Sequence, residues 1–361
     1  MSKLKCSIVV LILDGCSVEA FQRAKTPCID GLMEEGTYNL KCKSIYPTAT
    51  FTAHSSIVTG TLPNTHGIVG NSFYDRSVGR VVDFDVEDVN KYLFSQTLME
   101  VVEGVKVCIG EPITRGSDIT ISKAKVQSLE LFEQDVYALN EAIRLVKEYN
   151  PRLTIINLPG VDGIGELYGP LSGEIIAHLE TLDELICDLK ETIEKIYDDY
   201  LFIILADHGM AHVHKNIDLH EVLEGLNTIT CVSHRTAHIY AINEDVREVV
   251  NRLEGDGRFD LVLTGEKLAK YHLENPRSGD VVVTAKEGYE LSSKRLKGSH
   301  GGLSPNELFV PLIVNKPEYA DIIKNADITV VPKIVFRYLR EVGAINIAME
   351  KLQYNDPAHD W

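Results

Sequence analysis

The sequence has no apolar run of the ~18 residues that a membrane-spanning helix needs, so we expect no association with a membrane. Its first apolar run, residues 7–13, stops at Asp14-Gly15 without a small-residue cleavage site, and we interpret it as a buried strand rather than a signal peptide. Basic residues are also few, because 36 Lys and Arg stand against 53 Asp and Glu. This deficit disfavours a nucleic-acid scaffold role, since phosphate backbones are bound by basic surfaces.

Cysteine pairs at C-x-x-C spacing are absent as well. The seven cysteines are scattered and odd in number, which is typical of a reducing cytoplasm rather than of a disulfide framework. The sequence contains no internal repeat, low-complexity tract or Pro/Ser-rich linker, and its 44% hydrophobic and 25% charged residues are those of a globular protein. We therefore expect a cytoplasmic globular protein, with the oligomeric state left open and a homo-oligomer included among the alternatives.

Three uninterrupted runs rich in Ile, Val and Leu predict central strands of a largely parallel sheet: residues 7–13, 153–158 and 201–206. Helical periodicity over residues 135–148 and 172–197 alternates with these runs. The alternation predicts a doubly wound α/β core with helices on both faces. Shorter strand and helix patterns fill residues 219–293, so we expect a small α+β cap there, inserted into a core formed by residues 1–218 and 294–361.

An acidic residue follows each of the three predicted strands: Asp14, Asp162 and Asp207. Ligands of open α/β sheets bind outside the carboxyl ends of the strands. Three carboxylates gathered there would repel one another unless a cation lay between them, so a metal site is the simplest explanation. The alternative is that each aspartate starts a turn or caps a helix.

Two histidines lie in loops that favour metal binding. Asp207-His208-Gly209 places an oxygen and a nitrogen ligand side by side, with a glycine that lets the chain turn. The segment Gly298-Ser299-His300-Gly301-Gly302 places His300 among glycines, which indicates a close backbone approach to another segment. A structural role is the alternative for His300.

Residues 46–60 (YPTATFTAHSSIVTG) predict an extended piece followed by a helix that ends at Gly60. Thr50 falls at the start of that helix, where the first N–H groups attract anions. Thr50 is therefore either only an N-cap or, with a metal nearby to lower the pKa of its hydroxyl, a nucleophile.

These pieces together resemble the alkaline phosphatase superfamily and, within it, the type I phosphodiesterase/nucleotide pyrophosphatase branch. The matching segments follow the family's order and cover most of residues 7–315: Asp14-Gly15, Thr26-Pro27, residues 46–60, Pro63-x-x-His66-Gly67-Ile68, Asn71, Asp162 with Gly169-Pro170, Ala206-Asp207-His208-Gly209-Met210, and Ser299-His300-Gly301. The resemblance implies an alkaline-phosphatase-like fold. It also implies hydrolysis of phosphodiester or nucleotide pyrophosphate bonds through a phospho-threonine intermediate.

The resemblance implies a two-metal site. The ligands of the first divalent ion would be Asp14, Thr50, Asp207 and His208. The ligands of the second would be Asp162, Glu166 and His300. Glu166 departs from the family, which has a histidine four residues after the aspartate. Zinc is implied at both positions, and Mn²⁺, Mg²⁺ or Fe²⁺ become alternatives at the second, because several oxygens with one imidazole favour a harder metal.

The resemblance also implies how a small phosphate- or phosphonate-bearing substrate is held. Thr50 would be the nucleophile, Asn71 would donate a hydrogen bond to a phosphoryl oxygen, and Phe51 would help form a slot for a nucleobase. A second departure is Asn157, which replaces the family's base-facing tyrosine. Both departures leave the phosphate-ester chemistry in place and bear on the metal and the leaving group.

Three alternatives remain open from the sequence. Phosphonoacetate hydrolases resemble the chain near His300 and at Gly279-Asp280-Val281-Val282-Val283, and they hold the substrate carboxylate with lysines, for which Lys123 and Lys125 are candidates. A phosphomonoesterase or phosphomutase is next, although the cofactor-independent mutases use serine where this chain has Thr50. The last alternative is an inactive relative that binds metal, which the replacement by Glu166 favours.

Overall fold

The structure, a computed structural model, describes residues 4–344. A seven-stranded sheet forms its centre, and six of the strands run in one direction. Phe309–Val314 is the exception, because it pairs antiparallel with both of its neighbours. In spatial order the strands are Thr37–Lys43, Phe309–Val314, Tyr197–Leu205, Leu4–Leu13, Leu153–Leu158, Lys106–Ile109 and Ile119–Ile121. The predicted largely parallel α/β sheet is confirmed.

Helices flank this sheet and connect its strands. The α-helices are Val18–Arg23, Pro27–Glu35, Thr50–Thr59, Pro63–His66, Leu98–Val101, Lys123–Gln127, Gln134–Tyr149, Pro159–Tyr168, Gly173–Ile196, Leu219–Val222, Val246–Glu254, Lys267–Lys270, Pro305–Leu308, Ala320–Ile323 and Val331–Glu341. Short 3₁₀ turns are Val89–Lys91, Leu131–Glu133, Pro317–Tyr319 and Ile328–Val330. Among the described helices, none is long and apolar enough to cross a membrane.

The sequence predicts the central elements closely. The run predicted over residues 7–13 belongs to the strand Leu4–Leu13, and the one over 201–206 belongs to Tyr197–Leu205. Every residue of Leu153–Leu158 is buried, as expected for a strand covered on both faces. The helix predicted over 172–197 is Gly173–Ile196, and the Ser172 side chain accepts a hydrogen bond from the N–H of Ile175 as its N-cap.

A separate antiparallel sheet of four strands lies within residues 219–293: Thr228–Ser233, Thr236–Ala241, Val281–Ala285 and Phe259–Thr264, in that spatial order. Its strand Val281–Ala285 is buried on both sides, because Val281 and Val283 join a second hydrophobic core while Val282 joins the main one. The division into a core and an inserted cap stays a prediction, and residues 345–361 of the predicted core lie outside the described residues.

Two small sheets complete the described strands. One contains Gly288–Glu290, Ala211–Asn216 and Gly298–Ser299, and the other is the hairpin of Ser72–Asp75 with Arg80–Asp83. The first of them carries the chain from the Asp207-His208 pair towards His300, because Ser299 pairs with Ala211. The carboxyl ends of the central strands and the glycine-rich loop therefore meet at one edge of the molecule.

Candidate metal centre

Three buried side chains meet where two adjacent central strands end. The ligand atoms of Asp14, Asp207 and His208 all lie within 4.8 Å of one another. His208 Nε2 is 3.1 Å from Oδ2 of Asp207 and 3.7 Å from Oδ1 of Asp14. The Nδ1 atom of His208 donates to the carbonyl oxygen of Gly209 at 3.0 Å. Nε2 is therefore left with a lone pair that a cation can accept.

Thr50 begins the helix Thr50–Thr59, and Gly60 ends it with φ of 67°, both as the sequence predicts. The N-cap residue is Ala49, so capping is not the role of Thr50. The Oγ1 atom of Thr50 lies 3.3 Å from Nε2 of His208. The hydroxyl therefore faces the same point as the first three side chains.

A second group begins with Asp162 and His300, whose Oδ1 and Nε2 atoms are 3.8 Å apart. Asp162 is held close to the end of the first strand, because a Cβ on Gly15 would lie 2.5 Å from its Oδ1. The Nδ1 atom of His300 donates to the carbonyl oxygen of Thr48 at 2.8 Å, which again leaves Nε2 free. The rings of His300 and His208 stack with centroids 3.8 Å apart, so the two groups are adjacent.

Glu166 and His234 lie on the far side of His300. Glu166 Oε1 is 3.3 Å from Nδ1 of His234, and the ring of His234 is 4.1 Å from that of His300. The ligand atoms of these three residues all lie within 4.8 Å of one another. Sequence reasoning assigned His234 no ligand role, so it missed this contact.

The donor chemistry of the centre fits divalent metal ions. Within residues 4–344, several buried polar atoms of both groups have no hydrogen-bond partner: Asp14 Oδ1, Asp162 Oδ1, Glu166 Oε1, Asp207 Oδ2, His234 Nδ1 and His300 Nε2. Buried polar atoms are normally paired. Carboxylate oxygens and neutral imidazole nitrogens are ligands of zinc and of related first-row ions.

The electrostatics of the centre also favour a bound cation. Burial, with the nearby Asp14 carboxylate, raises the pKa of Asp207 to about 6. Burial and the carboxylates of Glu166 and Asp14 raise the pKa of Asp162 well above its ordinary value. Burial also lowers the pKa of His300 well below its ordinary value. Such a cluster of mutually repelling carboxylates and neutral imidazole is stabilised by a cation placed among them.

A buried pair that the sequence did not reveal lies behind the first group. His54 Nδ1 is 2.8 Å from Oε2 of Glu111, and His54 Nε2 is 3.5 Å from Oδ2 of Asp207. Burial lowers the pKa of His54, but the charge and hydrogen bond of Glu111, together with Asp207 and Asp14, raise it to about 9. Glu111 carries no signal in its sequence neighbourhood, so sequence reasoning missed this pair.

Asn157 also lies beneath the first group. Its Nδ2 donates to Oδ2 of Asp14 at 2.9 Å, and the residue is fully buried in the strand Leu153–Leu158. Asn157 therefore orients a carboxylate of the centre.

The predicted substrate-binding residues lie in three places. Phe51 and Lys123 line one cleft of about 380 Å³, with Lys123 Nζ 4.2 Å from the centroid of the Phe51 ring. The Oδ1 atom of Asn71 accepts a hydrogen bond from the N–H of Phe51 at 3.4 Å, which places Asn71 at the start of the Thr50 helix. Lys125 is exposed, and its Nζ lies 5.8 Å from the ring centroid of Tyr137, away from the cleft.

The largely parallel α/β sheet, with carboxylates, imidazoles and a threonine hydroxyl at its carboxyl edge, defines an alkaline-phosphatase-like protein with a candidate metal centre. The model of one family, type I phosphodiesterase/nucleotide pyrophosphatase, matches residues 8–304. The chain belongs to this family, and the predicted superfamily and branch are confirmed. The enzymes of this family are hydrolases, which is the enzyme class that the sequence predicts.

Curated relatives share the sequence over part of their length. The chain is 29% identical over 220 residues to mouse ectonucleotide pyrophosphatase/phosphodiesterase family member 1, a match that covers 57% of the chain and 24% of the mouse protein. It is 30% identical over 201 residues to a venom phosphodiesterase of Macrovipera lebetinus, covering 53% of the chain and 24% of that protein. The match therefore spans about a quarter of each relative.

Solved structures share the fold. Murine ectonucleotide pyrophosphatase/phosphodiesterase 5 superposes with a TM-score of 0.79 at 18% identity, covering 94% of this chain and 95% of that one. Phosphonoacetate hydrolase from Sinorhizobium meliloti, in complex with phosphonoformate, superposes with a TM-score of 0.75 at 20% identity, covering 95% and 100%. Both comparisons concern the fold alone.

Proposed function

We propose that this chain hydrolyses phosphodiester or nucleotide pyrophosphate bonds, with Thr50 as the nucleophile. The observation that carries the proposal is the position of the Thr50 hydroxyl, at the first residue of a helix and 3.3 Å from Nε2 of His208. A helix N-terminus attracts the phosphoryl group of a substrate. The neighbouring cluster of carboxylates and imidazoles fits the metal ions that phosphoryl transfer uses.

Two divalent ions are the proposed cofactors. The first is assigned to Asp14, Thr50, Asp207 and His208. The second is assigned to Asp162, Glu166 and His300. When bound, such ions would lower the pKa of a coordinated hydroxyl and neutralise charge that develops on the reacting oxygens. Zinc is the proposed metal at both positions, with Mn²⁺, Mg²⁺ and Fe²⁺ as the alternatives at the second.

The proposed reaction has two displacements at phosphorus. In the first, Thr50 Oγ1 gives up its proton and forms a bond to phosphorus while the bond to the leaving oxygen breaks, and the leaving oxygen departs with the electron pair and takes up a proton. In the second, a water oxygen loses a proton and attacks phosphorus, the bond to Thr50 breaks, and Oγ1 takes up a proton, which returns the hydroxyl. The amide nitrogen of Asn71 donates to a phosphoryl oxygen, and the positive field of the helix start stabilises the negative charge that accumulates there.

The leaving group is proposed to occupy the cleft lined by Phe51 and Lys123. A nucleobase would stack on the ring of Phe51. Membership of the family supports this hypothesis of a nucleotide leaving group. The position of Lys123 favours the second candidate, phosphonoacetate hydrolysis, because its ammonium covers that ring at 4.2 Å and would pair with a carboxylate. In that reaction the C–P bond breaks and the carbon takes the electron pair and then a proton.

A paired assay separates these candidates. Metal-stripped protein is refilled with Zn²⁺, Mn²⁺ or Mg²⁺ and given bis-p-nitrophenyl phosphate, p-nitrophenyl phosphate or phosphonoacetate. The proposal predicts that the diester is cleaved fastest and that Thr50→Ala abolishes the cleavage. Release of inorganic phosphate from phosphonoacetate, with weak diester turnover, would replace the first candidate by the second. Stoichiometric metal binding without any turnover would indicate an inactive relative.

The substrate is a small molecule bearing a phosphate or phosphonate group. Residues 219–293, as an inserted cap, would contribute to recognition of the leaving group. The cytoplasm is the proposed compartment, supported by seven cysteines that form no disulfide with one another in the described part of the chain.

A further inference from the structure

We infer that His234 is a ligand of the second metal ion, where it supplies an imidazole beside the carboxylate of Glu166. The inference rests on the proposed two-metal site. His234 lies in a turn of the four-stranded sheet, far from the other proposed ligands in the sequence.

The atoms that face one another have the geometry of two ligands of one ion. His234 Nδ1 and Glu166 Oε1 are 3.3 Å apart, and neither has a hydrogen-bond partner within residues 4–344. Two ligands ~2.0–2.1 Å from a tetrahedral zinc ion are separated by about 3.4 Å. The pair therefore faces a common point instead of being bonded to each other.

The backbone at His234 supports a functional role for its side chain. His234 and Arg235 form the turn between the strands Thr228–Ser233 and Thr236–Ala241, whose last and first residues pair with each other. His234 has φ of 56°, a conformation that glycine adopts most easily at the first position of such a turn. Histidine there costs free energy, of the kind that is retained at functional sites.

The glycine-rich loop holds this turn against His300. A Cβ on Gly301 would lie 2.7 Å from the carbonyl oxygen of Ser233, and the N–H of Arg235 donates to the carbonyl oxygen of His300 at 2.9 Å. Arg235 also forms a buried ion pair with Glu307. The glycines around His300 indicate a close backbone approach to another segment. That segment is the turn that carries His234.

With His234 included, the second ion would have two imidazoles and two carboxylates available, from His234, His300, Asp162 and Glu166. This donor set suits zinc better than a set with one imidazole, because nitrogen ligands favour zinc over Mg²⁺ and Mn²⁺. The residue also ties the four-stranded sheet to the metal centre.

The test is a zinc titration of metal-stripped protein, followed by calorimetry and by metal analysis after desalting. The variant is His234→Gly, because glycine accepts the positive φ and keeps the turn. His220→Gly, at an exposed histidine of the helix Leu219–Val222, is the control. We expect two tight sites in the unmodified protein and in the control. In His234→Gly we expect one site weakened by at least about tenfold.

A second comparison keeps loss of folding apart from loss of a ligand. The metal-free His234→Gly protein should unfold at a temperature no lower than the unmodified protein, because backbone strain is relieved. Adding Glu166→His to His234→Gly should restore the second tight site. Two equally tight sites in both proteins would overturn the role of His234 and leave the proposed function standing. An unmodified protein that binds no zinc would instead contradict the two-metal proposal.

Discussion

His54 Nε2 lies 3.5 Å from the carboxylate of Asp207, so a buried imidazole lies directly behind the residues proposed to hold the first ion. The pKa of His54, at about 9, keeps its imidazole protonated at neutral pH. Its positive charge therefore offsets the buried carboxylates of Asp14, Asp207 and Glu111 when no metal is bound.

Replacing His54 by glutamine is expected to destabilise the metal-free protein more than the metal-loaded protein. Loss of one partner leaves a buried charge unpaired, which costs about 3–5 kcal/mol, and bound metal would supply part of the missing positive charge. The measurement is the free energy of unfolding in both forms. His66→Gln is the matched control, since His66 is buried with a lowered pKa of about 3. An equal loss in both forms for His54→Gln contradicts the charge-balancing role.

Thr50→Ser and Thr50→Ala should differ in turnover and agree in metal content. Serine keeps a hydroxyl at the first helical position, so part of the diesterase activity should remain. Alanine removes the nucleophile, so kcat should fall by at least about 1000-fold. Both variants keep the carboxylate and imidazole ligands and should still bind two ions by metal analysis. Comparable turnover in Thr50→Ala and the unmodified protein would exclude Thr50 as the nucleophile.

Lys123→Ala should separate the two candidate substrates, with Lys125→Ala as its control. Lys123 lies over the Phe51 ring in the cleft, and a hydrogen bond to a charged group contributes about 1.5–3 kcal/mol. For phosphonoacetate, kcat/KM should therefore fall by about 10–100-fold. For an aromatic nucleotide ester it should stay unchanged or rise, since the ring becomes free for stacking. Identical effects of both lysine variants would mean that neither touches the leaving group.

His238 should make the metal-free protein less stable as the pH drops from about 6.5 to about 4. Burial lowers the pKa of His238 to about 4. The ring is held neutral, because Nδ1 accepts a hydrogen bond from the N–H of Gly279 and Nε2 donates to the carbonyl of Val69. In the unfolded chain the imidazole has a pKa of ~6.5, so below that pH it binds a proton that the folded chain does not yet bind. Acid therefore favours unfolding.

His238→Gln removes this titration and should flatten the pH dependence by up to about 1.4 kcal/mol per pH unit over that window. Urea midpoints at pH 7, 6 and 5, recorded with a chelator present, provide the measurement. An unchanged slope would show that the proton uptake of the unfolded chain comes from other groups, such as His66 and His300, whose pKa values burial also lowers.

Local patterns predicted the parts of the centre that lie close together in sequence. The apolar runs located the strands before Asp14 and Asp207, because strands buried on both faces need continuous hydrophobic residues. Gly60 located the end of the Thr50 helix through its left-handed conformation. The roles of these residues came from resemblance to a family, and they stay predictions for this chain.

The parts that sequence could not supply are contacts across the fold. His234 meets Glu166 only because the hairpin turn packs against Gly301, and no local pattern encodes that approach. Glu111 meets His54 across 57 positions. Lys123 and Lys125 looked equivalent in sequence, yet two positions along a helix rotate a side chain by about 200°. Their side chains consequently point to different surfaces.

The stereochemical course at phosphorus tests the central claim most directly. A p-nitrophenyl phosphorothioate diester of defined configuration is hydrolysed by the metal-loaded protein in ¹⁸O-water, and the configuration of the product is determined. Each in-line displacement inverts phosphorus, so attack by Thr50 followed by attack of water predicts overall retention. Inversion would mean a single displacement by water, and it would contradict the assignment of Thr50 as the nucleophile.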